Sequence, residues 1–263
     1  MIKLAVFDVD GTLVKEGNGK FSTKTIEMLE RLHQQGIKVA IASGRPPFFV
    51  EGDLNKQFAF DYYVCINGAY VMDAQFKEIS RKAMKQEDVE SLIEEFVSFD
   101  DAMMFQFDDA PYCYHGNKRI TNMIREWIGR LDIVVDHRKE KNRHLQSLPM
   151  GIVCKIDPSH IESYKKKYPH LAFDAFQEDH YDIHAKDLSK AQGIEVLTNI
   201  LNMNRSEVIA FGDNYNDIEM LKMVGTGVAM GNAKEEVKAI ADYVTSNVEL
   251  DGTYEACKYF KLI

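Results

Sequence analysis

The sequence predicts an α/β fold: a Rossmann-like core of parallel strands and helices with an inserted α+β domain. Three observations carry this reading. Strand-like apolar runs alternate with helical patterns at both ends of the chain. The pattern changes between roughly residues 83 and 184, where short strands and helices follow a different order. Finally, acidic or hydroxylated residues stand at the ends of apolar runs in both terminal parts.

The first run, Leu4 to Val9, ends in two acids, Asp8 and Asp10, ahead of Gly11 and Thr12. A helix from Ser22 to Gln35 follows, with Ser22 as N-cap, Ile26, Leu29 and Leu32 on one face and Gly36 as the stop. The run Ile37 to Ala42 then completes a right-handed βαβ unit with parallel strands, and Tyr62 to Ile66 reads as the next strand. The same grammar returns as a helix from Lys190 to Leu201, the strand VIAFGD at 208–213, a helix from Ile218, the strand GVAM at 227–230 and a helix at 234–241. Between them, MMFQF, YCYH, GIVCKI, LAFDAF and YDIH read as strands, and EDVESLIEEFVS and NKRITNMIREWIG as helices. The expected division is a core of 1–82 plus 185–263 and an insertion of 83–184. Ligands of an open parallel sheet bind beyond the carboxyl ends of its strands, so Asp8, Ser43 and Asp213 converge although far apart in sequence.

Composition narrows the function. With 263 residues and 45% hydrophobic content the chain can build a full core. A net charge of -9 argues against nucleic acid or an anionic membrane as partner. Cys65, Cys113, Cys154 and Cys257 are dispersed, with no CxxC spacing, and read as reduced thiols of a cytoplasmic protein. The N-terminal apolar run is too short for a signal-peptide core or a membrane span.

Each chemistry-bearing motif has a structural alternative. Asp8 and Asp10 in DVDGT stand two apart, on one side of a regular strand, and two such acids need a cation or a shared proton; the alternative is an Asp-Gly turn. In GDNYND, Asp213 and Asp217 follow the strand, while Asn216 with Glu219 reads as a capping box. Capping leaves Asp213 unexplained. Two acid-bearing strand ends call for a divalent cation, and oxygen ligands without His or Cys favour Mg²⁺ over zinc. Ser43 and Gly44 in IASGRPP form an anion site at a helix start, or Ser43 is an ordinary N-cap. Lys190 opens a helix against its dipole, either as a surface residue or for a purpose elsewhere. His180 and His184, four apart, lie on an extended segment, which argues against zinc. Met103, Met104, Phe105 and Phe107 read as core, and Lys165–Lys167 and the basic stretch His137–His144 as solvated surface.

In order, DVDGT, SGR, SKAQG and GDNYND resemble the four motifs of the haloacid dehalogenase-like (HAD) phosphohydrolases over the full chain length. The position of the insertion, after SGR and before SKAQG, is similar to the Cof-type branch with its large C2 (IIB) α/β cap, as is NGA at Asn67–Ala69, which also reads as a hairpin turn. The resemblance implies Asp8 as nucleophile, forming an aspartyl-phosphate, and Asp10 as general acid and base. It implies Mg²⁺ held by Asp8, the Asp10 carbonyl and Asp213, with Asp217 supporting. Phosphoryl oxygens fall to Ser43, Lys190, Asn216 and the amides of Val9 and Gly44. The implied substrate is a small phosphorylated metabolite, by default a sugar phosphate, with flavin or pyridoxal phosphates as alternatives. Arg45, His115, Arg119 and His184 are candidate substrate contacts. The alternatives are a phosphomutase using the same nucleophile and a phosphate-binding regulator without turnover. The Ser at position 43, where many relatives carry Thr, preserves the hydroxyl.

Overall fold

The computed structural model of the protein describes residues 1–15, 19–128, 134–136, 142–175 and 177–263. They form two compact units, one of residues 1–80 and 189–263 and one of 81–188. The second unit is longer than the expected 83–184 at both ends. Arg81 is held by Asp108 and Ser147, while the Lys186 and Leu188 amides donate to His170 and Ala185.

The first unit begins β1 (Leu4–Phe7), α1 (Thr23–Gln34), β2 (Lys38–Ala42), α2 (Pro47–Phe49), β3 (Tyr62–Cys65), β4 (Tyr70–Asp73) and β5 (Glu78–Arg81), whose last residue is the first of the second unit. The second unit supplies α3 (Gln86–Phe99), β6 (Ala102–Gln106), β7 (Pro111–His115), α4 (Asn117–Ile128), β8 (Val135–Asp136), α5 (Arg143–Gln146), β9 (Gly151–Lys155), α6 (Ile161–Lys167), β10 (Leu171–Ala175) and β11 (His180–Ala185). The chain then returns to the first unit with α7 (Lys190–Ile200), β12 (Val208–Gly212), α8 (Ile218–Met223), β13 (Thr226–Ala229), α9 (Glu235–Lys238), β14 (Tyr243–Val244) and α10 (Gly252–Tyr259).

The first sheet has the order β14-β13-β12-β1-β2-β3-β4-β5, and every pairing from β14 to β3 is parallel. β1 lies centrally, with Leu4 beside Val208 and Lys38 and Phe7 beside Phe211 and Ile41. Its four residues are buried, as expected of a strand covered on both faces. Leu4 and Val6 pack with Ile194, Leu197, Met220 and Leu221 of α7 and α8, while α1 and α10 pair on the other side. Ser22 caps α1 by accepting from the Thr25 amide at 3.0 Å, and Gly36 ends it with φ +75°. Pro46 is the N-cap of α2, which Pro47 opens and which continues directly into a π-helical stretch, Val50–Leu54. The β3–β4 hairpin turns through Ile66, Asn67 and Gly68, all at positive φ.

The sheet of the second unit runs β10-β11-β9-β6-β7-β8, antiparallel except for β7–β8. Met103 and Phe105 pack on one face with Val89, Leu92 and Phe96 of α3 and Tyr164 of α6. Ala102 and Met104 pack on the other with Ile120, Met123 and Ile124 of α4. The period-two alternation of β6 thus serves two hydrophobic cores, and the buried Met103, Met104, Phe105 and Phe107 are core residues. Of the basic stretch His137–His144, residues 137–141 lie outside the described residues. All four cysteines are buried and none is in a disulfide. No described helix is long and apolar enough to cross a membrane.

Helix α7 approaches the sheet at Gly193, where a Cβ would overlap Val64 Cγ1 of β3. A Gly→Ala change inside a helix ordinarily stabilises by about 1 kcal/mol, but overpacking costs about 1–3 kcal/mol. Gly193→Ala is therefore expected to lower the urea midpoint, whereas in a Val64→Ala background the same change should be neutral or stabilising. Equal effects in both backgrounds would show that Val64 does not set the approach of α7.

Candidate active site

Three strands end in acids or a hydroxyl at one edge of the parallel sheet. Asp8 follows β1, Ser43 follows β2 and Asp213 follows β12. The adjacent pairing of β2, β1 and β12 makes them neighbours. Lys190, the first residue of α7, is 1% exposed, and its ammonium donates to Asp8 Oδ1 and Asp217 Oδ1, both at 2.6 Å. The surface alternative for Lys190 is thereby excluded.

Asp217 is fully buried and has both oxygens engaged: Oδ1 by Lys190, and Oδ2 by the Asp213 and Asn214 amides at 2.9 and 3.0 Å. It thus fixes the loop that carries Asp213. The cap of this segment is not Asn216 with Glu219 but Asn214 with Asp217, two residues earlier. The amide of Asn216 is instead turned toward Asn67, donating to its Oδ1 at 3.0 Å. Asp213 lies against Gly11, where a Cβ would overlap its carboxylate and where φ is +82°. Thr12 Oγ1 donates to Asp213 Oδ1 at 3.3 Å, and Asn232 Nδ2 lies 3.4 Å from Oδ2 while donating to the Gly11 carbonyl at 2.9 Å.

Ligand oxygens of Asp8, Asp213 and Asp217 lie within 4.8 Å of one another. An all-oxygen cluster of this size suits a hard divalent cation such as Mg²⁺. Burial pushes the Asp8 carboxyl well above the usual carboxylate range; Lys190 opposes this, and Asp217 and Asp213 add to it. Burial alone would depress Lys190, yet Asp217 and Asp8 hold it above an ordinary lysine.

The phosphate-binding candidates sit around this centre. Ser43 does not cap a helix; its Oγ accepts from the Arg45 amide at 3.1 Å, a tight turn that orients the hydroxyl. Among the described residues, the amides of Val9 and Gly44 donate to no protein acceptor. Arg45 grips Asp10 through two hydrogen bonds, Nε to Oδ2 at 2.8 Å and Nη2 to Oδ1 at 2.6 Å.

A family model of haloacid dehalogenase-like hydrolases matches residues 5–256. The chain belongs to the haloacid dehalogenase-like hydrolases. Its sequence is 28% identical to phosphoglycolate phosphatase 1 of Saccharolobus solfataricus, covering 97% of this chain and 94% of that one. It is 26% identical to the 5-amino-6-(5-phospho-D-ribitylamino)uracil phosphatase YcsE of Bacillus subtilis, covering 99% and 96%. Among solved structures, a Geobacillus kaustophilus protein is similar at TM-score 0.88 and 33% identity over both whole chains. A sugar phosphatase of HAD subclass IIB is similar at TM-score 0.86 and 28% identity, covering 99% and 100%. This hydrolase is an enzyme of the Cof-type phosphatase branch.

The remaining candidates of this hydrolase lie in its second unit. His184 is buried on β11, bonded to Asp174 and the Ala185 carbonyl, and His115 and Arg119 share the exposed Asp100. Sequence reasoning missed Asn232, whose Oδ1 also accepts from the Val248 amide. Its signal was its place two residues after the strand GVAM, at the same sheet edge as Asp8 and Asp213.

The buried cluster of Asp8, Asp217 and Lys190 predicts a stability effect in metal-free protein. A carboxyl whose folded pKa is raised contributes stability that is fully present below its unfolded value, near 3.8, and lost as pH rises through the folded one. Asp8→Asn should thus raise the Tm of chelator-treated protein at neutral pH by roughly 2–4 °C, the shift that about 1 kcal/mol gives in a chain of this size. The gain should shrink toward pH 4, and a thermal melt series reads it. A gain that is constant with pH, or a loss at neutral pH, would contradict the charge argument.

Proposed function

We propose that this enzyme is a Mg²⁺-dependent phosphomonoester hydrolase acting on small phosphorylated metabolites, most closely sugar phosphates, through an aspartyl-phosphate. The observation that carries the reading is the buried Lys190, 2.6 Å from both Asp8 and Asp217, beside the Asp213 carboxylate at one sheet edge. A cation buried there matches an anionic reaction centre and holds Asp8 in one orientation. The likeness to a subclass IIB sugar phosphatase supports the sugar-phosphate choice.

In the first step an Asp8 oxygen attacks phosphorus and the bond to the alkoxide breaks, the leaving oxygen taking a proton from Asp10. In the second, water attacks the phosphorus of the aspartyl-phosphate and gives its proton to Asp10. The bond to Asp8 breaks, releasing inorganic phosphate and restoring both acids. Ser43, Asn216, Lys190 and the amides of Val9 and Gly44 hold the phosphoryl oxygens, and Lys190 matches their charge as it develops. Asp8, the Asp10 carbonyl and Asp213 would hold Mg²⁺, which would supply the positive charge that lets a carboxylate approach an anionic phosphate. Asp217 supports by fixing Lys190 and the amides of Asp213 and Asn214. Selection of the leaving group is left to side chains outside these steps.

The test is inorganic phosphate release from a panel of sugar, flavin and pyridoxal phosphates, with Mg²⁺ or with excess chelator. Release is expected with Mg²⁺ alone, to fall to background in Asp8→Asn and by about 10²–10⁴-fold in Asp10→Asn. Phosphate passed to a second sugar instead of to water would favour a mutase; binding without turnover would favour a regulator.

A further inference from the structure

The fork of Arg45 on Asp10 has no part in the steps above, yet it is a closely made charge pair at the sheet edge. Arg45 stands on the turn that presents Ser43 and Gly44, its amide donating to Ser43 Oγ and its carbonyl accepting from Ile66. Asp10 stands on the loop after β1, which closes through the Gly11 amide on the Val14 carbonyl. Only the two side chains, about a quarter and two fifths exposed, join the loops in this pair.

A bidentate guanidinium directs one N–H at each carboxylate oxygen and fixes the plane of the carboxylate. To meet a leaving oxygen or a water, Asp10 must turn an oxygen away from that fork. The Nε and Nη2 edge of the guanidinium is then open to another anion, and a phosphate monoester has the same forked acceptor geometry as the carboxylate it would replace. Such an anion binds one residue away, at Ser43 and Gly44, if the hydrolase reading holds, and the present inference rests on that reading.

We propose that Arg45 is an exchange latch: it holds Asp10 in the empty site and transfers to the phosphate group of the incoming substrate, which releases Asp10 for proton transfer. Substrate binding and the freeing of Asp10 are then one event. Arg45 is thus a phosphate-binding residue whose affinity for substrate is set against its affinity for Asp10. Inorganic phosphate has the required chemistry without a leaving group, so it isolates the exchange from turnover and from substrate choice.

The experiment is calorimetric titration of inorganic phosphate, with Mg²⁺ present, into wild type, Asp10→Ala, Arg45→Ala and the double variant, with a thermal melt of each to confirm folding. Loss of Asp10 removes the competitor for the Nε and Nη2 edge of Arg45, so Asp10→Ala is expected to bind phosphate on the order of 10-fold more tightly than wild type. Arg45→Ala should bind on the order of 10-fold more weakly. In the Arg45→Ala background, removing Asp10 should change affinity little, because the competition is gone. Arg45→Lys, which keeps the charge but not the fork, should show an intermediate response to Asp10→Ala and serves if Arg45→Ala does not fold. The latch is overturned if Asp10→Ala tightens binding equally with and without Arg45, since that is mere removal of a negative charge, or if Arg45→Ala binds like wild type. Either result leaves the hydrolase reading standing. Absence of phosphate binding in wild type would overturn both the latch and the phosphate site beneath it.

Discussion

The site depends on one buried cation. Lys190 brings a positive charge into the parallel sheet's carboxyl edge, where water cannot stabilise it, and it survives there because Asp8 and Asp217 both accept from it. The requirement propagates outward. Lys190 starts α7, so α7 must lie close against the sheet, and its Gly193 sits beside Val64 and Gly68 where a side chain would collide. Gly68 in turn has φ +99° and abuts the Ser189 carbonyl, at the residue preceding Lys190. A hairpin turn, a helix start and a strand thus share one steric condition whose outcome is the position of an ammonium group.

Asp217 carries the same constraint in the other direction. Its second oxygen takes the amides of Asp213 and Asn214, so the group that neutralises Lys190 also shapes the loop bearing Asp213. Gly212 makes room for it, since a Cβ there would overlap the Asp217 side chain. Asp213 is then seated against Gly11, with Thr12 and Asn232 on its two oxygens. Three acids with ligand oxygens this close are a poor arrangement for stability and one suited to a hard cation. Strain of this kind belongs at a site that works through charge.

Much of the core was legible because its elements follow local rules. β1 and β12 are short apolar runs ending in acids, α1 has its cap and stop residues in place, and Lys190 drew attention by standing against a helix dipole. Contacts set by tertiary approach were not legible. Asn214 and Asn216 both suit a cap, and the choice of Asn214 depends on where Asp217 is pulled by Lys190 and two amides. Asn232 looks like any loop asparagine until β13 is placed beside β12. Arg45 was legible as a candidate by its neighbours, but its partner Asp10 lies 35 residues away in sequence. The short β5, β8 and α5 carry too few residues for a period to show.

The second unit follows a different logic. Its sheet is mostly antiparallel, and its two cores are filled from within residues 81–188: α3 and α6 supply one face and α4 the other. Its buried acids are satisfied inside the same unit, Asp101 by Tyr164, His160 and the Asp157 amide and Asp88 by His170. A unit that closes its own hydrophobic and polar accounts can change its surface residues without disturbing β1, β12 or α7. The first unit has no such freedom, because its glycines, its lysine and its acids fix one another. The mutual packing of residues in the first unit ties its motifs to recognisable residue types, whereas the surface of the second unit is under no such packing constraint, and that is why the core motifs were readable and the candidate contacts of the second unit were not.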